Sequence, residues 1–238
     1  MKQTKTASAA RKKSDSSTAG AAAQAPCEET AATYHHGDLR NALIAAGRAA
    51  LEDIGPRELS LRSVAKAVGV SEAAPSRHFA GKEGLLAAMA AQGFAELAEI
   101  RRQVAESGMK PDDRVRAMME EYVRFAQRHK GLFDLMVGPR IIQPGIYDEL
   151  KQSTTASFDL FAQAVCDFGR TCRWPDASLN LLVHAAWAVE HGLATLILGS
   201  RAPVARWPVA VDEMIRFSIS LFIDRISAGP ETPASRSR

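Results

Sequence analysis

The chain has 238 residues, of which 46% are hydrophobic, and 30 Lys and Arg against 27 Asp and Glu leave a formal net charge of +3. These values are typical of a soluble globular protein and exclude collagen-like, disulfide-scaffold and wholly disordered chains. The small charge excess neither requires nor excludes nucleic acid, because the distribution of charge matters more than its sum. Aromatic residues make up only 6%, whereas alanine is abundant. Alanine is the best helix former and adds little to a strand, so we expect an all-α protein.

The cysteines and the apolar stretches determine the expected compartment. The three cysteines are Cys27, Cys166 and Cys172. An odd number without the spacing of a disulfide framework indicates a reducing compartment. We interpret these residues as incidental thiols, and redox sensing is the alternative. The most apolar stretch, residues 181–198, is interrupted by polar side chains, so we interpret it as a buried core helix and not a membrane span. Residues 1–33 lack the apolar segment of a signal peptide. We therefore expect a cytoplasmic protein with no membrane partner.

Two terminal segments are predicted to be disordered. Residues 1–33 carry Lys and Arg among Ser, Thr and Ala without any periodicity, and residues 228–238 are also polar and aperiodic. In one interpretation the basic tail contacts DNA, along the phosphates or in a minor groove, as flexible arms do. In the other it remains solvated and contacts nothing. His35 and His36 are adjacent and therefore point apart, so we expect no metal and no cofactor.

The body of the chain is predicted to contain about nine helices. Gly55-Pro56 ends the first, and Ser60 and Ser71 are N-caps for the second and third. Pro75 falls at the fourth position of the third helix, where we expect it to be tolerated because only one intrahelical hydrogen bond is lost. In chain order the predicted helices are residues 38–54, 61–68, 72–79, 82–107, 111–129, 132–137, 146–168, 177–198 and 208–226.

Residues 61–79, LRSVAKAVGVSEAAPSRHF, have the pattern of a helix-turn-helix. A tight turn at residues 69–71 joins two short helices. Ala65 is small enough to let the helices approach, and Gly69 can adopt the positive φ that the turn requires. Such a geometry places the second helix in the major groove of DNA.

A wider segment, from residue 34 to about 94, resembles the DNA-binding domain of the tetracycline-repressor (TetR) family of bacterial transcriptional regulators. The residues that carry the resemblance are Leu61-Arg62-Ser63-Val64-Ala65, Gly69-Val70-Ser71, Arg77-His78-Phe79 and Lys82-Glu83-Gly84-Leu85-Leu86. The resemblance implies a three-helix DNA-binding domain over residues 34–86, a linking helix over about 82–107, and double-stranded DNA as partner. The chain departs from the family at Ser76, where a tyrosine usually holds a DNA phosphate. A serine side chain is shorter than a tyrosine side chain and cannot stack. The contact to the DNA phosphate at this position is therefore in question.

The candidate DNA-contacting residues surround the predicted turn: Ser60, Arg62, Ser71, Glu72, Ala73, Ser76, Arg77, His78 and Lys82. Glu72 is suited to a cytosine amino group, Ala73 to a thymine methyl, and Arg77 to guanine or phosphate. The resemblance assigns a phosphate to Lys82. Ser60 and Arg62, at the start of the second helix, are placed for a phosphate or groove contact. The alternative for Arg62, Arg77 and Lys82 is a solvated side chain without a DNA contact. His78 is equally suited to phosphate and to packing. Residues 34–86 carry seven Arg and Lys against six Asp and Glu, so any positive surface must be one-sided.

The second half of the chain contains a pattern of its own. Trp187 and His191 are four residues apart and share a helix face, and Gly192 leaves room for another helix. The pattern resembles the WHG-type C-terminal domain of a subset of the family. It implies an effector-binding and dimerisation domain over residues 108–227. In the family the last two long helices form a four-helix bundle with a second subunit, which calls for a palindromic operator.

The same resemblance implies a pocket for a small hydrophobic effector. Its candidate lining residues are Met118, Tyr122, Phe125, Phe133, Met136, Phe158, Phe161, Trp187 and His191. For each of them the alternative is ordinary core packing, because both roles need a buried apolar face.

The expected function is that of a homodimeric transcriptional repressor that a ligand releases from DNA. Two alternatives remain open: an activator, or a DNA-binding protein whose second half only dimerises. An enzyme is not expected. His129, His184, His191 and the cysteines form no recognisable nucleophile and base set, and there is no phosphate-binding glycine loop.

Overall fold

The computed structural model describes residues 36–138, 146–199 and 208–230, and these contain eight α-helices and no strand. The prediction of an all-α protein is confirmed. The basic tail of residues 1–33, Cys27, His35 and residues 231–238 lie outside the described residues. The helices are α1 (His36–Glu58), α2 (Leu61–Val68), α3 (Gly81–Glu106), α4 (Pro111–Arg128), α5 (Lys130–Val137), α6 (Asp148–Thr171), α7 (Asp176–Leu198) and α8 (Val211–Ser227).

Local signals in the sequence set several helix ends. Helix α1 is interrupted at Gly55, whose φ of 70° and ψ of 171° are not helical, and one further turn follows it. Gly108 has a φ of 72° just before α4, and Pro111 opens that helix with Asp112 and Asp113 in its first turn. Proline fits the first helical position because its missing N–H has no intrahelical partner there, and the carboxylates favour the positive helix N-terminus.

The third predicted helix, residues 72–79, is not an α-helix. Within this segment only Pro75–Arg77 is helical, as a single 3₁₀ turn. Proline has no N–H to give the Ser71 carbonyl four residues earlier, and that carbonyl instead accepts a bond from Ala74 N at 2.9 Å. The prediction that Pro75 is tolerated inside an α-helix is therefore wrong. The described residues hold eight α-helices where about nine were expected.

Helix α3 connects two hydrophobic clusters. One cluster packs α1 and α2 against the first half of α3, with Leu43, Val64 and Leu85 buried at its centre. The other joins α4, α6, α7 and α8. The 26 residues of α3 span about 39 Å. Part of the first cluster continues along α3 to Tyr122 of α4 and Phe133 of α5. One long helix thus touches both the helix-turn-helix segment and the C-terminal helices.

Helix α5 is tied to α1 at its N-terminus. The Glu52 carboxylate accepts hydrogen bonds from the backbone N–H groups of Gly131 at 2.9 Å and Leu132 at 3.4 Å. A Cβ atom on Gly131 would lie 2.4 Å from the Leu51 carbonyl oxygen, so only glycine permits this approach. A side chain of α1 therefore caps α5.

Helix α7 has the length and apolar composition of a membrane span. In the structure it packs against α4, α6 and α8, with Leu182, Val183 and Ala186 buried. It also carries a fully buried carboxylate, Glu190. One face of α7 therefore packs in the helical core.

The two described cysteines lie near the end of α6. Cys166 and Cys172 are both unbridged and half-buried. Burial raises the pKa of the Cys166 thiol. A thiol with a raised pKa forms the reactive thiolate less readily, which favours an incidental thiol over a redox sensor.

Candidate DNA-binding surface and effector cavity

Helix α2 and the turn after it are held by local hydrogen bonds. The Ser60 hydroxyl accepts from Ser63 N at 3.0 Å, and the Ser63 hydroxyl accepts from Ser60 N at 3.3 Å, forming a capping box. Gly69 has a φ of 78° and a ψ of 27°, and Val70 N donates to the Ala65 carbonyl at 3.0 Å. Because the hydroxyl of Ser60 is used as a cap, its predicted DNA contact competes with the hydrogen bonds that start α2.

Most of the predicted contact residues share an exposed surface around the turn. The exposed ones are Ser60, Arg62, Ser71, Glu72, Ala73, Ser76 and Arg77. Arg62 Nε lies 2.8 Å from a Glu72 carboxylate oxygen, so an ion pair spans the turn. Both side chains are largely exposed, so this ion pair is weak and leaves the two groups accessible.

The three remaining charged candidates differ in availability. Arg77 is exposed, and its side chain makes no hydrogen bond or ion pair with any described residue. Lys82 is half-buried and donates to the Arg57 carbonyl oxygen at 2.5 Å, at the end of α1. His78 is half-buried beside Phe79, with ring centroids 6.3 Å apart. Arg77 is thus the cation that is best placed for DNA, whereas Lys82 and His78 also have structural contacts.

A cavity of about 340 Å³ lies among α3, α4, α5, α6 and α7. Its described lining residues are Phe94, Leu97, Arg101, Tyr122, Met136, Val137, Thr154, Ser157, Phe158, Trp187, Glu190 and His191. The volume is within the range of about 300–1,000 Å³ that is usual for small-molecule sites. A second cavity of about 350 Å³ adjoins it across Val137.

The structure divides the predicted pocket residues into three groups. Those that line the 340 Å³ cavity are Tyr122, Met136, Phe158, Trp187 and His191. Phe133 lines the neighbouring cavity instead. Three others, Met118, Phe125 and Phe161, are at most 1% exposed and line neither cavity. For these three the interpretation as core applies, because helical periodicity marks a buried face without showing which buried side chains border empty space.

Three polar rings meet at one side of the cavity. The Tyr122 hydroxyl lies 3.0 Å from His191 Nδ1, and the rings of Trp187 and His191 lie 5.8 Å apart between centroids. Burial raises the pKa of Tyr122 and lowers that of His191, so both groups are neutral. The tautomer of His191 decides which of the two groups donates. In either case the bond occupies Nδ1 of His191 and leaves Nε2 for another partner.

Two lining residues that sequence reasoning missed form a buried ion pair. Arg101 Nη2 lies 2.8 Å from Glu190 Oε1, and Arg101 Nη1 donates to the Ser157 carbonyl at 2.9 Å. The guanidinium also lies over the Phe161 ring, 4.7 Å from its centroid. Glu190 Oε2 and Arg101 Nε, both buried, have no partner among the described residues. The sequence held one signal for this pair: a carboxylate inside the most apolar stretch must find a partner when it is buried.

Helices α7 and α8 expose apolar side chains on their outer faces. Leu181 is 72% exposed and Phe217 is 64% exposed. On α7, Leu181, Ala185, Ala188, Gly192 and Leu196 follow one stripe at helical spacing. A Cβ atom on Gly192 would meet no described atom within 4 Å. Nothing in the described chain therefore requires glycine at this position.

Comparisons with family models match both halves of the chain. Residues 43–89 match the model of bacterial regulatory proteins of the tetR family. Residues 115–222 match the model of the tetracyclin repressor-like C-terminal domain. A comparison with curated proteins found no match.

Solved structures share this fold. A protein of unknown function from Rhodococcus sp. RHA1 is 32% identical, with a TM-score of 0.70, and the match covers 82% of this chain and 99% of that one. A TetR/AcrR-family transcriptional regulator from Thermobifida fusca is 19% identical, with coverages of 79% and 97% and a TM-score of 0.59. The TetR family transcriptional regulator PfmR from Thermus thermophilus is 18% identical, with coverages of 80% and 99% and a TM-score of 0.56.

Proposed function

Because this chain belongs to the TetR family of DNA-binding transcriptional regulators, we propose that it is a homodimeric repressor that a small apolar effector releases from a palindromic operator. Its DNA-binding domain is residues 34–86, and residues 108–227 bind the effector and dimerise. The long helix between them belongs to both parts. The protein acts in the cytoplasm, on the nucleoid.

The DNA contacts are assigned to the exposed surface around the turn after α2. Ser71, Glu72 and Ala73 face base edges, and Arg77 binds guanine or phosphate. Arg62 and Glu72 support this role because their ion pair is exposed and can open when DNA replaces either partner. Ser76 is exposed, and its hydroxyl can donate a hydrogen bond to a DNA phosphate.

The dimer interface is assigned to the outer faces of α7 and α8. A monomer leaves Leu181, Phe217 and Leu221 more than half exposed, and these side chains lie on helices that are otherwise well packed. A two-fold axis beside them would form a four-helix bundle and bury this surface. The two helix-turn-helix segments would then read half-sites about 34–36 Å apart.

One observation carries the proposal of effector release. Phe94, Leu97 and Arg101 of α3 line the cavity, while Leu85 and Leu86 of the same helix pack in the cluster that holds α1 and α2. A molecule that enlarges the cavity therefore pushes on the helix that positions the helix-turn-helix. Release requires the effector to bind the DNA-free arrangement more tightly than the bound one.

Three measurements test the proposed function. Selection of bound sites from random DNA should return a palindrome, and sedimentation should show a dimer. Thermal shift against a library of apolar compounds should give stabilising compounds that also release the selected DNA in a mobility-shift assay. Trp187→Phe should weaken that stabilisation, whereas Trp174→Phe, the same change at a tryptophan that does not line the cavity, should retain it.

Each result can also contradict one part of the proposal. A non-palindromic site bound by a monomer would overturn the dimer. Compounds that stabilise the protein and leave DNA bound would overturn effector release and favour a regulator without this switch. Transcription that rises when the protein binds would make it an activator.

A further inference from the structure

The cavity wall contains one charge of each sign. Among the described lining residues, Arg101 and Glu190 are the only Arg, Lys, Asp or Glu side chains. They contact each other at 2.8 Å and are 3% and 0% exposed. The remaining lining is aromatic or aliphatic, apart from Thr154, Ser157 and the neutral Tyr122 and His191.

The two charges cancel each other inside the protein. Burial raises the pKa of Glu190, and the neighbouring guanidinium of Arg101 opposes the rise. Arginine does not lose its proton in proteins, so a protonated Glu190 would leave an isolated buried cation, which is the more costly arrangement. The pair is therefore two ions with no net charge. A charged ligand beside it would be desolvated without a counter-charge.

The remaining polar function of the cavity is the ring of His191. His191 is neutral, and its Nδ1 is hydrogen-bonded to the Tyr122 hydroxyl. Its other ring nitrogen, Nε2, can therefore form one hydrogen bond with a ligand, as donor or acceptor according to the tautomer. His191 is half-buried, so it is more accessible to a ligand than the sealed Arg101 and Glu190.

We propose that the cavity selects uncharged, largely apolar molecules that carry one hydroxyl group placed at His191, and rejects acids and amines of the same shape. This inference rests on the proposed function, because it defines the chemical class of the effector. The paired charges of Arg101 and Glu190 provide the rejection, and His191 Nε2 provides the polar contact.

The wild-type protein tests the inference with three probes of matched chain length: 1-octanol, octanoate and octylammonium. Binding is followed by the emission of Trp187 and assigned to the cavity by its loss in Trp187→Phe. We expect 1-octanol to bind at least about tenfold more tightly than either ion, since burying an unpaired charge is worth more than that ratio. His191→Phe, which keeps a ring and loses the hydrogen-bonding nitrogen, should weaken 1-octanol about three- to tenfold.

Two single variants should change the preference in opposite directions. Glu190→Gln leaves Arg101 without a counter-charge, so octanoate should gain at least about tenfold while 1-octanol changes little. Arg101→Gln should favour octylammonium instead. The double variant restores neutrality and should again prefer 1-octanol. Near-ultraviolet circular dichroism of each variant checks that it has folded, and the wild-type comparison stands without any variant.

The outcomes separate this inference from the proposed function. If octanoate or octylammonium binds the wild type most tightly and releases DNA, the effector cavity stands and the selection of neutral molecules is overturned. If the octanoate affinity is the same in wild type and Glu190→Gln, the pair does not set the selection. If no probe changes the emission of Trp187 in any protein, the inference is overturned, while the effector cavity is judged by the thermal-shift library of the proposed function.

Discussion

Substitution of Gly192 by alanine tests the proposed dimer with effects of opposite sign. Glycine in the middle of a helix is less stable than alanine by about 0.5–1 kcal/mol. The added Cβ atom meets no described atom within 4 Å, so an isolated subunit gains this amount without strain. In a two-fold interface the same methyl group enters the contact twice, and overpacking costs about 1–3 kcal/mol.

The expected result is a subunit that is more stable and a dimer that is weaker. Every 1.4 kcal/mol changes a dissociation constant about tenfold. The dimer dissociation constant, measured by sedimentation velocity over a dilution series, should therefore rise by about five- to a hundredfold. Urea unfolding at the lowest concentration should show a higher free energy of unfolding than the wild type.

A matched control uses a glycine that faces the interior. A Cβ atom on Gly93 would lie 2.5 Å from Met136 Sδ, so Gly93→Ala should destabilise the subunit at every concentration. If Gly192→Ala stabilises the protein and leaves the dimer dissociation constant unchanged, Gly192 lies outside the interface. If Gly192→Ala destabilises the dilute subunit, the added Cβ atom meets a neighbouring atom within the subunit.

Four further predictions concern single residues. Arg77→Ala should weaken operator binding and reduce the slope of log K against log salt by about one, and an unchanged slope would remove Arg77 from the phosphate contacts. Pro75→Ala should extend an α-helix over residues 72–79, visible in Cα chemical shifts, whereas unchanged shifts would show that proline is not the cause of the 3₁₀ turn. Burial lowers the pKa of His191 below its ordinary 6.5, so as the pH falls the imidazole is protonated in the unfolded chain before it is protonated in the folded one. The free energy of unfolding, measured by urea titration, should therefore fall as the pH drops below about 6.5. His191→Asn, which still offers Tyr122 a hydrogen-bond partner, should flatten this dependence. Glu52→Ala should cost about 0.5–2 kcal/mol by removing the cap of α5, and Glu52→Gln should cost less; equal thermal stability of all three proteins would contradict the cap.

The helix ends show how far local signals reach. Ser60, Gly69 and Pro111 mark ends that the structure reproduces within a residue, because a cap or a positive φ is decided by the residue itself and a few neighbours. The prediction at Pro75 fails for a reason that is equally local. Its missing N–H affects the carbonyl four residues earlier, and the short segment has too few other hydrogen bonds to offset that loss.

The cavity shows where local signals end. Trp187 and His191 are predictable because they share one helix face, and Tyr122 because it is a polar ring on an apolar face. Arg101 and Glu190 are 89 residues apart, and only the tertiary packing that brings α3 beside α7 puts them in contact. Their pairing depends on the tertiary structure, and the periodicity of either helix alone does not predict it.

The broken helix after the turn has a consequence for how an operator is chosen. Residues 73–75 are Ala-Ala-Pro, which offer no side-chain hydrogen bond to a base edge, and the carboxylate of Glu72 can only accept one. If this surface reads the operator as proposed, it has few donors, and part of its specificity then comes from the ease with which DNA bends, twists or narrows its minor groove. Flexible pyrimidine–purine steps and stiff A-tracts at base pairs that the protein never touches should then rank operators as strongly as the contacted bases do. The sequence logo of such a regulator would then show preferences at base pairs that the protein does not contact, because those base pairs determine how easily the DNA deforms.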